Sequence, residues 1–184
     1  VQVSSRFNFI YNFFFLIGTL LFMKKRPISY FYFSKVESTM DMAKKKIKQN
    51  PELLSSGCVI VSDYQTKGRG TKGRSWVSDN LGGLYYTLIF QPKLFNLTNI
   101  DQMQTLVASE LKSIIDSIAQ LSCEIKKPND ILINKKKVAG ILVEASSLAN
   151  SRLFNYVCIG IGLNLNQKSF GSNLCKSATS LQLE

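Results

Sequence analysis

The chain has 184 residues, 45% of them hydrophobic and 19% charged, which excludes a disordered or fibrous polypeptide and makes one domain with its own core the expectation. Its 23 Lys and Arg against 12 Asp and Glu give a formal charge of +11, favouring negatively charged partners such as nucleotide, nucleic acid or acidic protein. There is no histidine, which removes Ser-His-Asp and Cys-His catalysis, histidine general bases and most zinc sites together.

Residues 7–23 form a Phe-rich apolar stretch followed by Lys24-Lys25-Arg26. It is short for a membrane span, and the basic cluster follows the apolar run where a secretory signal would place it first. Residues 1–22 are therefore expected to be a non-native or mis-assigned extension, with one catalytic domain over 23–184. Residues 28–34 alternate and predict a strand. Ser38 or Thr39 then caps a helix whose stop is marked by Pro51, and 57–63 is a β-branched run that predicts a buried strand. Residues 65–79 are glycine-rich, basic and without periodicity, hence a loop, and 84–91 predict the next strand.

The clearest helix covers 99–119, with Ile100, Met103, Leu106, Val107, Leu111, Ile114, Ile115 and Ile118 at helical spacing on one face. Strands follow at 123–126, 130–134, 138–145 and 153–163, the middle two joined by a lysine-rich turn at 134–136. Without a regular βαβ alternation, the expected fold class is α+β: a mixed sheet flanked by helices. The four cysteines are far apart and are expected to be free thiols of a reducing, cytoplasmic compartment.

Four motifs carry chemistry. Gln65-Thr66-Lys67-Gly68-Arg69-Gly70-Thr71-Lys72-Gly73-Arg74-Ser75-Trp76 interleaves glycines with basic residues; such a backbone approaches an anion closely, although a solvated or RNA-contacting loop has the same composition. Lys126-Lys127-Pro128-Asn129-Asp130 places an Asn-Asp pair at a strand entrance, where the pair also suits a simple turn. Lys137-Val138-Ala139-Gly140-Ile141-Leu142-Val143-Glu144 and Gly160-Ile161-Gly162-Leu163-Asn164 put glycines inside strands, a sign of close approach by a ligand or another backbone.

In this order, with Ser38-Thr39 before them and Ala178-Thr179-Ser180-Leu181 after, these blocks resemble the biotin protein ligase family. The resemblance implies an enzyme that activates biotin with ATP and transfers it to a lysine of a biotin carboxyl carrier domain, as in acetyl-CoA carboxylase. It implies that Ser38, Thr39, Gln65, Gly68, Arg69, Lys137, Gly140 and Ile141 bind biotin. Gly70, Arg74, Trp76, Asn129, Asp130 and Asn164 would bind ATP or the adenylate, with magnesium a candidate at Asp130. Lys137 and Arg69 are the implied catalytic residues. A homodimer is a further family-level expectation, and no specific nucleic acid is expected.

Two positions depart from the family pattern: Thr71 stands where another arginine is common, which predicts weaker retention of the adenylate, and Lys127 replaces a tryptophan. No helix-turn-helix at the amino end and no carboxy-terminal β domain are expected. The competing functions are a lipoate or octanoate ligase of related fold and a basic nucleic-acid-binding protein.

Overall fold

Alternation and burial sort the strands. Ser29–Phe33 (β1) alternates half-buried and exposed residues as an edge strand should, whereas Cys58–Ser62 (β2) and Gly83–Phe90 (β3) are buried along almost their whole length, as interior strands covered on both faces must be. Glu124–Lys126 (β4), Asp130–Ile133 (β5), Lys136–Ser147 (β6) and Phe154–Asn164 (β7) complete one seven-stranded sheet in the order β1-β2-β3-β7-β6-β5-β4. Its β1–β2 pair is parallel and every other pair is antiparallel. The structure, a computed structural model, describes residues 28–78, 82–92, 99–147 and 154–184; the expectation for residues 1–22 lies outside them.

Helices cover both faces. Thr39–Gln49 (α1) lays Met40, Ala43 and Ile47 on Cys58, Ile60, Ile89 and Cys158, with the short Leu53–Ser56 (α2) beside it. Ile100–Ala119 (α3) packs Met103, Val107, Leu111 and Ile115 against Leu88, Ile131, Ile141, Ile159, Ile161 and Leu163 on the opposite face. Asn99, read in the sequence as the helix's first residue, is instead the cap of α3, its side-chain oxygen accepting from Asp101 N at 2.8 Å and Gln102 N at 3.4 Å.

The mixed sheet flanked by helices is the expected fold class, with local corrections. Leu106, placed on the core face of α3 by its spacing, is 40% exposed, because it sits one residue before Val107 and so about 100° round the helix from the centre of the apolar stripe. The strand expected over 138–145 is longer, Lys136–Ser147. The turn before it puts Asn134 and Lys135 at φ 49° and 64°, the mirror-image turn whose twist suits a two-residue hairpin.

Register places the glycines. Gly140 lies directly opposite Gly162 and Leu142 opposite Gly160, with Ile141 opposite Ile161 between them. Because side chains alternate along a strand, Ile141 and Ile161 join the α3 core. The glycines are left on the α1 face, where the sheet has a bare backbone floor.

Candidate active site

The floor is occupied at close range. A Cβ at Gly160 would stand 2.7 Å from Met40 Sδ, one at Gly140 2.7 Å from Trp76 Cζ3, and one at Gly162 2.5 Å from Trp76 Cε2. Those distances are far inside van der Waals contact, so only glycine permits the indole of Trp76 to rest on β6 and β7. The cleft that remains is about 110 Å3.

One end of this cleft is polar and already wired. Gln65 Oε1 accepts from Thr39 N at 2.8 Å and from Thr39 Oγ1 at 3.0 Å, and Thr87 Oγ1 donates to Thr39 Oγ1 at 2.9 Å. With its oxygen engaged twice, the Gln65 amide has its orientation fixed, and its Nε2 end is left to donate elsewhere. Ser38 begins α1 but makes no side-chain capping bond, and its buried Oγ is without a hydrogen-bond partner among the described residues. A buried hydroxyl left unpaired costs about 1–3 kcal/mol, and Ser38 lines the cleft, where a ligand would satisfy it.

At the other end stands Lys137. Its Nζ is 2.6 Å from Asp130 Oδ1 and 5.2 Å from the centre of the Trp76 ring. Its backbone is clamped by the last residues described: Lys137 N donates to Ser177 O at 2.8 Å and Thr179 N donates to Lys137 O at 2.9 Å. Lys137 and Trp76 also line a second cavity of about 450 Å3, bounded by Val77, Ser78, Asn164, Gln167, Ser169, Phe170, Gly171 and Leu174. Asn164, at the end of β7, donates to Thr179 O at 2.9 Å and accepts from Gln167 Nε2 at 3.2 Å; it ties this wall to the strand.

The glycine-rich basic segment, expected to be an irregular loop, is a small hairpin. Trp76 N donates to Gly68 O at 2.9 Å and Gly70 N to Arg74 O at 2.7 Å, with a single helical turn over Thr71–Gly73 at the tip. A Cβ at Gly68 would stand 2.4 Å from Trp76 O, so glycine is required for the two arms to meet. Arg69 reaches outward from the first arm, its guanidinium bonded to Asp41 of α1 at 2.6 Å and to Glu144 of β6, which also holds Lys44.

Comparison with known proteins places this geometry. A family model described as the biotin/lipoate A/B protein ligase family matches residues 32–164. The chain belongs to that family. It is 39% identical over 153 residues to the bifunctional ligase/repressor BirA of Bacillus spizizenii, covering 82% of this chain and 45% of that protein. It is 32% identical to the chloroplastic biotin–protein ligase 1 of Arabidopsis thaliana, over 72% of this chain and 35% of that one. A solved biotin protein ligase from Aquifex aeolicus, in complex with biotin and ATP, superposes with a TM-score of 0.68 at 32% identity, over 83% of this chain and 59% of the other. The chain thus spans less than half the length of these curated relatives.

Within this ligase-family fold, the structure brings Ser38, Thr39, Gln65, Arg69, Gly70, Arg74, Trp76, Asn129, Lys137, Gly140 and Ile141 around one cleft. Asn164 lines the second cavity, and Asp130 reaches the junction through its ion pair with Lys137. Asn129 spends its side chain internally, donating to Ile141 O at 3.1 Å; it fastens the β4–β5 turn to β6. Among the described residues no group of three or more His, Cys, Asp or Glu could hold a metal ion, and Asp130 is already paired. These residues do not make a protein-only magnesium site. Sequence reasoning missed Asp41, Lys44 and Thr87, which stand outside the glycine motifs, and Gln167 and Phe170, which follow the last strand where no periodic pattern remains.

Proposed function

We propose that this chain is the catalytic domain of an ATP-dependent biotin protein ligase, forming biotinyl-5′-AMP and passing the biotinyl group to a lysine of an acidic carrier domain. One observation carries the reading: Lys137 stands in the wall shared by a polar-ended cleft and a larger cavity. A carboxylic acid entering from the first and a nucleotide phosphate from the second meet at its ammonium.

The polar end suits a ureido head group, which offers one carbonyl acceptor and two N–H donors. Gln65 Nε2 donates to the carbonyl, and the unpaired Ser38 hydroxyl serves either role. The acid's tail then lies on the bare backbone of Gly140 and Gly162, its carboxylate toward Lys137. Two anions approaching one another repel, and a fixed ammonium in a partly dehydrated site offsets this more effectively than water does. The carboxylate oxygen attacks the α-phosphorus and the bond to pyrophosphate breaks. The carrier's amine next attacks the acyl carbon, AMP departs with the bonding electrons, and the amine gives up a proton. Ser75 to Ser78, Gln167 and Phe170 form the walls assigned to the nucleotide, and the hairpin shields the mixed anhydride from water.

Biotin-dependent exchange of pyrophosphate into ATP tests the first step. Lys137→Ala is expected to lower the exchange rate by about 100-fold or more, the scale of losing one preorganised electrostatic group, with an unchanged circular dichroism spectrum. An undiminished rate removes Lys137 from this role. Exchange supported by lipoate in place of biotin would reassign the substrate.

A further inference from the structure

We propose that Trp76 is a placeholder: in the free protein its indole occupies the seat over Gly140 and Gly162, and the incoming acid displaces it, joining the two cavities. This deepens the proposed ligase function and rests on it.

Four observations converge. The indole lies so close to β6 and β7 that even a methyl group at either glycine would collide with it, so nothing fits between ring and floor. The cleft left beside it is about 110 Å3, well under the roughly 300 Å3 at which small-molecule sites begin; the acid and the ring cannot both be seated. The indole Nε1 is buried without a hydrogen-bond partner among the described residues, so the ring fills the seat by shape and leaves its polar atom unserved. Finally, Trp76 lines both cavities, and its removal joins them.

The arrangement also explains what Lys137 does beforehand. Its ammonium stands over the indole, 5.2 Å from the ring centre, a cation–π contact. When the ring leaves, the carboxylate replaces a weak partner with a full negative charge, so the same cation holds first the placeholder and then the substrate. The Trp76 backbone is fixed to Gly68, so the exchange requires only a rotamer change of the side chain.

Calorimetry with biotin on the wild-type protein and on Trp76→Gly tests this. Because displacement taxes the wild-type affinity, Trp76→Gly is expected to bind biotin at least about fivefold more tightly. Free indole added to the variant is expected to refill the seat and raise the apparent Kd for biotin in proportion to its concentration. Equal or weaker binding by the variant, or indole and biotin bound together, overturns the placeholder while leaving the ligase function standing. No biotin binding by either protein overturns both. Trp76 is the chain's sole tryptophan, so the wild type supplies a check free of substitution: acrylamide quenching of its emission is expected to rise on saturation with biotin, and unchanged quenching counts against the displacement.

Discussion

The two sides of the cleft are held together by different physics. On the floor side, Thr39, Gln65 and Thr87 form a buried hydrogen-bonded chain rooted in α1, the segment after β2 and the interior strand β3. On the roof side, the 68–76 hairpin rests its Trp76 ring on the glycines and is otherwise tied down by ion pairs from Arg69 to Asp41 and Glu144, with side chains a quarter to a half exposed. Buried bonds of the first kind are costly to break, since each partner left behind stays unpaired. Exposed pairs of the second kind contribute about 1 kcal/mol or less and yield to salt. A preformed floor with a releasable roof suits the proposed reaction, in which the site would select a small acid, close over it and then open to a protein.

Breaking the floor should have the larger effect. Gln65→Ala strips Thr39 of the acceptor for both its amide and its hydroxyl, and a loss of about 2–3 kcal/mol predicts roughly 30- to 150-fold weaker biotin binding by calorimetry, with nucleotide binding little changed. Loosening the roof should cost less: Glu144→Gln removes the shared carboxylate of Arg69 and Lys44, so release of bound biotin, followed by stopped flow, should quicken about threefold to fivefold at low salt. The gap between variant and wild type should narrow as salt rises. A variant effect indifferent to salt would mean the roof is held by something other than charge.

The smallest effect concerns thiols buried between α1 and the sheet. Burial pushes the Cys58 thiol up to about 11 against a lesser opposing pull from Lys46, and burial raises Cys158 further still. Both should resist alkylation at pH 8 in the native protein, while the exposed Cys175 reacts. The sign for stability follows from the raised folded values. The unfolded thiols, ordinary at 9.0, ionise first, so a contribution present below pH 9 fades as pH climbs toward 11. The urea midpoint should accordingly hold steady to pH 9 and decline beyond it.

Much of this was legible in the sequence, for reasons that differ by element. The helix over 100–119 and the runs at 58–62 and 130–133 announce themselves through local period and composition. The glycines of β6 and β7 marked the floor, because glycine inside a strand requires an external reason. Strand order was not legible, since which strand lies beside β3 depends on contacts far apart in the chain. The hairpin was hidden too: its regularity lies in backbone bonds between Gly68 and Trp76 and between Gly70 and Arg74, which leave no side-chain rhythm. Ser38 looked like a helix cap, and only the structure showed its hydroxyl unused by the helix.

The pairing of Gly140 with Gly162 has a consequence for tuning. A patch of sheet with no side chains cannot be reshaped by its own residues, so its level is set from behind, by how Ile141 and Ile161 wedge against α3. Shaving one methyl group there, as in Ile161→Val, would cost about 1 kcal/mol of stability and also tilt the surface on which the acid rests. Substitutions deep in the far layer of the domain should therefore surface as altered acid preference, and a search for new specificities has as much to gain from that hidden layer as from the cleft.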